Sequence, residues 1–209
     1  MLKKANSIYL SKPRRYRYKN ISVWVEPGVF PPFMTLSTKI LLEFIETLDL
    51  KNKSFLELGC GCGIISILAS QKGAYTTATD INETALSALE KNAKNNNVNI
   101  EILHSDLFQN LKGKHFEYII INPPYYPKNP GSIIEKAWFC GENFEYFEDL
   151  FQQLTAFTSI NSKIYMILSE DCQIDQISWV AQKNNLHLNC IVKKSVFKEI
   201  NYIYAIEAL

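Results

Sequence analysis

The chain has 209 residues, 47% of them hydrophobic and 21% charged, with a net charge of +1. Those proportions fit a globular domain with a sizeable core, and they argue against a disordered, collagenous or globally basic chain. The charge is uneven: Lys3, Lys4, Lys12, Arg14, Arg15, Arg17 and Lys19 lie in the first twenty residues with no acid among them, which leaves 15 basic against 21 acidic residues in the rest.

Residues 1–20 read as a polar, basic arm, and 1–35 as an N-terminal segment ahead of a domain over 36–209. Ile21–Val25 alternates and is β-branched, so it predicts a short strand before the Glu26-Pro27-Gly28 turn. Leu36–Leu48 has helical spacing, with Ser37 or Thr38 as cap. A regular alternation follows. Strands are predicted at Ser54–Leu58, Tyr75–Thr79, Asn99–Leu103, Phe116–Ile121 and Lys163–Leu168. Helices are predicted at Ile64–Gln71 (closed by Gly73), Glu83–Asn96, Phe144–Phe157 and Ile174–Lys183. Leu186–Val192 and Tyr202–Ile206 have no helix between them and predict an antiparallel hairpin. The expectation is an α/β fold: a Rossmann-like, doubly wound, mostly parallel seven-stranded sheet with an antiparallel C-terminal edge hairpin.

The five cysteines, Cys60, Cys62, Cys140, Cys172 and Cys190, are irregularly spaced, and Cys60 and Cys62 are too close for a zinc knuckle. Reduced thiols in a cytoplasmic protein are expected, with no metal site. No apolar run approaches the roughly 18 residues of a membrane span, and the N-terminus lacks the apolar core of a signal peptide.

Four motifs fall at successive strand ends. Leu56-Glu57-Leu58-Gly59-Cys60-Gly61-Cys62-Gly63 is a G-x-G-x-G turn, which lets the backbone approach a ligand closely. Glu57 inside an apolar strand end requires a donor, such as an ammonium or a hydroxyl. Asp80 ends the next strand. It can accept hydrogen bonds from two ribose hydroxyls, or it can cap the following helix. Ser105-Asp106-Leu107-Phe108 follows the third strand and can meet an adenine amino group, or be an ordinary turn. Asn122-Pro123-Pro124-Tyr125 ends the fourth. Its prolines remove two N–H donors and leave an acceptor-rich cradle, the Asn122 side-chain oxygen and the Pro123 carbonyl, suited to an NH2 group. Tyr125 offers a flat face. Two acceptors hold such a nitrogen and help localise its delocalised lone pair.

In this order ELGCGCG, TDIN, SDLF and NPPY resemble the class I S-adenosylmethionine-dependent methyltransferases, and more narrowly the HemK/PrmC-like (methyltransferase small domain) group. The resemblance implies S-adenosyl-L-methionine as cofactor, with S-adenosyl-L-homocysteine as product. It implies Glu57, Gly59 and Gly61 at the methionine part, Asp80 with Ile81 at the ribose, and Asp106 with Leu107 at the adenine. Thr38 matches the threonine that precedes the first motif. Asn122 and Pro123, with Tyr125, would hold the target NH2, Asn122 also being counted among the cofactor contacts. Ala137-Trp138-Phe139-Cys140-Gly141 is similar to an Ala-Trp-small-Gly segment of short HemK-like proteins, while Trp138 reads equally well as core packing.

The implied acceptor is a protein glutamine amide, as in a release factor, with a possible role for an activator subunit. The alternative is an exocyclic amine of adenine, guanine or cytosine in structured RNA or DNA. It is favoured by Arg14, Arg15 and Arg17, the three arginines of the chain, interleaved with tyrosines. A solvated tail is the plain reading of that arm, and a cofactor-binding protein without catalysis is the remaining class.

Overall fold

The computed structural model describes residues 10–159, 161–196 and 199–209. Lys3 and Lys4 of the basic arm lie outside the described residues. The element order is β1 (Arg14–Tyr18), β2 (Ile21–Val25), α1 (Ser37–Thr47), β3 (Ser54–Leu58), α2 (Ile64–Gln71), β4 (Tyr75–Asp80), α3 (Glu83–Asn95), β5 (Glu101–His104) and β6 (Tyr118–Ile121). Then come α4 (Glu145–Leu154), β7 (Lys163–Ser169), α5 (Ile174–Lys183), β8 (Leu186–Val196) and β9 (Glu199–Ala208). Short 3-10 turns lie at Glu135–Ala137 and Thr155–Phe157.

The large sheet has the order β5-β4-β3-β6-β7-β9-β8. Pairing is parallel from β5 to β7, and β9 then runs antiparallel to both β7 and β8. The predicted C-terminal hairpin therefore exists, but β9 is inserted beside β7 and only β8 forms the edge. Alternate residues of the central strands separate onto two apolar faces, as the period of two requires. Phe55 and Ile120 join Leu41, Ile45, Ile67 and Leu89 under α1, α2 and α3. Leu56, Ile119 and Ile121 join the other face under α4 and α5. In α4, Phe147, Leu150, Phe151 and Leu154 recur at helical spacing and are all fully buried. Each contributes roughly 2 kcal/mol of burial.

Two expectations are corrected. The cap of α1 is Leu36, with no side-chain bond; the Ser37 hydroxyl lies 3.0 Å from that of Thr35 instead. The basic arm is also not a tail where it is described, because Arg14–Tyr18 pairs antiparallel with Ile21–Val25. Tyr16 and Tyr18 pack against the core beside buried Ile21, Val23 and Val25, while Arg15 and Arg17 face outward. The free edge of β2 meets two asparagines of the α3 end. Asn92 accepts from Trp24 N (2.8 Å) and donates to Trp24 O (2.8 Å). Asn96 does the same with Ser22, at 3.1 and 2.8 Å. Side chains thus stand in for a third strand, which satisfies backbone groups that would otherwise be unpaired. Among the described residues no helix is long and apolar enough to cross a membrane.

Candidate functional site

The strand order reverses between β3 and β6, and ligands bind outside the carboxyl ends of strands at such a switch point. Four loops converge there. The first, after β3, carries Gly59, Gly61 and Gly63 at φ of +77°, +53° and +77°. The three are not equivalent. A Cβ on Gly59 would meet nothing within 4 Å, and one on Gly61 would meet only Val29 Cγ1, at 3.9 Å. Both face open space that a ligand can fill. A Cβ on Gly63 would lie 2.0 Å from Leu89 Cδ1, so the third glycine serves contact between the loop and α3.

The loop is held from β4. Gly59 N and Cys60 N both donate to Thr79 O, at 3.0 and 2.8 Å. Gly61 N donates to Asp80 Oδ2 at 2.8 Å, and Asn82 N donates to Asp80 Oδ1 at 2.9 Å. Asp80 does not cap α3; Asn82 does, accepting from Thr84 N at 3.0 Å. Burial raises the Asp80 pKa, opposed by the backbone N–H groups of Asn82, Gly61 and Ile81. The bonds from Gly61 and Asn82 fall on different oxygens, so the carboxylate keeps acceptor capacity for a ligand.

Glu57, 4% exposed, receives the backbone N–H of Ser66 at 2.8 Å and also the Ser66 hydroxyl, both on Oε2. The hydroxyl anticipated from the sequence is therefore present, with a first-turn amide of α2 beside it. Burial still pushes the Glu57 carboxyl up to about 8. A cationic ligand group beside it would relieve that cost.

After β5, buried Ser105 donates its hydroxyl to Leu107 O at 2.8 Å and accepts from Asn110 N at 3.1 Å. This holds Leu107 at φ +48°, a conformation that a branched side chain rarely adopts. Asp106 points to Lys136, with Nζ 3.7 Å from Oδ2. After β6, Asn122 is half-buried, and its side chain has no hydrogen-bond partner among the described residues. Buried Pro123 follows. The Tyr125 ring lies 4.8 Å from that of Tyr126, and burial raises its hydroxyl pKa.

These loops enclose a cleft of about 410 Å³, and every cofactor or acceptor residue singled out from the sequence lines it, Thr38 and Ile81 included. That volume is within the usual range for small-molecule sites. The sequence did not reveal the roof. Phe30, from the turn after β2, packs on Trp138 with ring centroids 4.9 Å apart. Asn82 Nδ2 ties that turn down through Gly28 O at 3.0 Å. Trp138 is thus neither plain core nor isolated, since it lines the cleft and braces the roof. The Glu26-Pro27-Gly28 turn was the available signal, but nothing local says where a turn will land. Half-buried Tyr146 also lines the cleft. Arg14, Arg15 and Arg17 lie outside the cleft on β1, though Arg14 lines a smaller cavity of about 250 Å³ next to it.

Comparison with known proteins agrees with this architecture. The chain is 40% identical over 118 residues to a Methanocaldococcus jannaschii protein provisionally named a protein N5-glutamine methyltransferase, a match covering 56% of this chain and 57% of that protein. It is 35% identical over 111 residues to ribosomal RNA small subunit methyltransferase C of Haemophilus influenzae, covering 52% of this chain and 33% of that one. The match therefore spans only about a third to a little over half of these relatives' lengths. A T. thermophilus 16S rRNA N2 methyltransferase solved with AdoMet and guanosine shares the fold at a TM-score of 0.67 and 17% identity, over 93% of this chain and 50% of that one. The family model of the methyltransferase small domain matches residues 20–136, more than half of the sequence, and the chain belongs to that family.

Proposed function

We propose that the chain transfers a methyl group from S-adenosylmethionine to a planar NH2 nitrogen, with residues 36–209 as the transferase unit. The observation that carries this reading is the Asn122 amide, unpartnered among the described residues and lining the same cleft as the glycine loop and Asp80. The cofactor supplies an electrophilic methyl on a sulfonium. The residues fit it: the Cβ-free space at Gly59 and Gly61 admits close backbone approach. Glu57 suits an ammonium, Asp80 a pair of ribose hydroxyls, and Asp106 with Leu107 the base. Thr38 and Ile81 complete the walls.

Asn122 Oδ1 and the Pro123 carbonyl each accept one N–H of the acceptor. Tyr125 supports its plane. Holding both hydrogens favours pyramidalisation, which localises the lone pair for attack. The attacking nitrogen becomes acidic as its bond to the methyl forms, so its proton leaves to solvent and no resident base is required.

The first reading of the acceptor is a protein glutamine amide, in keeping with the relative of 40% identity. A base amine in RNA is the second, favoured by the arginines of β1. The test is a tritiated-methyl assay on whole-cell extract, which also supplies any activator subunit, followed by protease or nuclease. Label released by protease alone supports the amide. Release by nuclease alone reverses the order of the two readings. No incorporation, with no calorimetric heat on adding cofactor, contradicts the reading altogether.

A further inference from the structure

The N-terminal hairpin is positioned more firmly than a charged terminus usually is. Its inner face is in the core, and its free edge is clamped by Asn92 and Asn96. Asn92 also donates to Cys62 O at 3.0 Å, so the clamp joins the hairpin to the glycine loop. What the hairpin presents outward is consequently fixed relative to the cleft. Arg15 and Arg17 are exposed, in register with Trp24 and Ser22 across the pair. Arg15 Nε turns to Ser22 Oγ at 2.7 Å rather than covering its partner Trp24, whose indole stays 47% exposed. Lys19 is not part of this face, being paired with Glu46 at 2.6 Å.

The same hairpin reaches the cleft. The cavity of about 250 Å³ at the end of β2 shares Gly28, Val29, Phe30 and Trp138 with the main cleft. Its rim carries Lys12 and Arg14 against one acid, Glu26. The hairpin thus carries cations at the cavity rim and, on its outer face, two more beside an uncovered aromatic ring, on a chain whose residues after the first twenty are net acidic.

We infer that this face is a docking surface for a single-stranded RNA segment, one base stacking on Trp24 and its phosphates meeting Arg15 and Arg17. The nucleotide next to the methylated one enters the cavity beside Trp138. Arginine forks match phosphate oxygens, and an exposed indole stacks any base. Single strands offer bases already unstacked, so presenting one to the cleft avoids the cost of opening a duplex. The inference rests on the methyl-transfer reading only for the meaning of the cleft, and it deepens the second of the two acceptor readings, the base amine.

The test uses the full chain and a short fluorescein-labelled oligouridine, with anisotropy read from roughly 50 to 200 mM salt. Arg15→Ala with Arg17→Ala is expected to weaken binding about tenfold or more and to lower the salt slope by about 1.4, roughly 0.7 per cation on a single strand. Trp24→Ala should weaken it by about 5- to 100-fold with the slope unchanged, and Trp24→Phe should restore most of the loss. Unchanged binding in these variants overturns the inference. So does equal binding of polyglutamate, a polyanion with no base to stack. Cofactor calorimetry on the same preparations separates the two claims: cofactor heat without an RNA response sinks the surface alone, and RNA binding without cofactor heat sinks the transferase reading alone.

Discussion

Ser66 delivers both its backbone N–H and its hydroxyl to a single oxygen of Glu57, leaving a buried carboxylate with its other oxygen available in the cleft. Burial lifts the pKa of this group from 4.5 to about 8. A folded-state value above the unfolded one means that the stability it contributes is complete below about pH 4.5 and is lost as pH rises through about 8. The melting temperature without ligand is therefore expected to fall between those limits, at up to about 1.4 kcal/mol per pH unit. Glu57→Gln should flatten that fall. A ligand ammonium favours the ionised carboxyl, so saturating cofactor should stabilise the wild type more at pH 9 than at pH 6. Identical melting profiles for wild type and Glu57→Gln would contradict this account.

The glycines of the loop separate into two roles. Gly63→Ala pushes a methyl into Leu89 at a positive φ and should cost roughly 2 to 4 kcal/mol in urea unfolding. Gly59→Ala adds a methyl to open space and should cost only about 1 kcal/mol from its left-handed backbone. It should nonetheless abolish cofactor heat. Equal stability losses at the two positions would refute the division.

Most of the fold was legible because its signals are local. Ser54–Leu58, Ile64–Gln71 and Ile174–Lys183 begin and end where their apolar periodicity does. The site was legible for a related reason: in a parallel sheet, a loop motif after a strand must fall at the carboxyl edge. What was not legible depends on long-range partners. The arm reads as a tail because Tyr16 and Tyr18 alternate with charge, and only packing onto the core makes that alternation a strand. Asn92 and Asn96 read as an Asn-rich helix end, with no hint that they hold a strand edge about 70 residues away. The Phe30–Trp138 roof is invisible for the same reason.

That clamp is testable. Asn92→Ala leaves Trp24 N–H, Trp24 O and Cys62 O without partners. The expected cost is about 2 to 3 kcal/mol. Amide exchange of Trp24 should accelerate far more than that of Ile120 in the central sheet. Uniform acceleration throughout the chain would mean that the asparagine supports the fold globally rather than the hairpin.

Asp80→Asn keeps the shape of the side chain but can accept only one of the two N–H groups from Gly61 and Asn82. Cofactor affinity should drop roughly 10- to 100-fold, the scale of a lost charge-assisted bond. Calorimetry showing wild-type affinity would remove Asp80 from the binding set.

The central claim concerns Asn122, and one measurement addresses it directly: tritiated methyl transfer to cell extract by wild type and by Asn122→Ala, each saturated with cofactor. The cradle account predicts incorporation onto an NH2 nitrogen by the wild type and a loss of about 100-fold or more in the variant, with cofactor still bound. Full transfer by Asn122→Ala, or label found on carbon or oxygen, would contradict it.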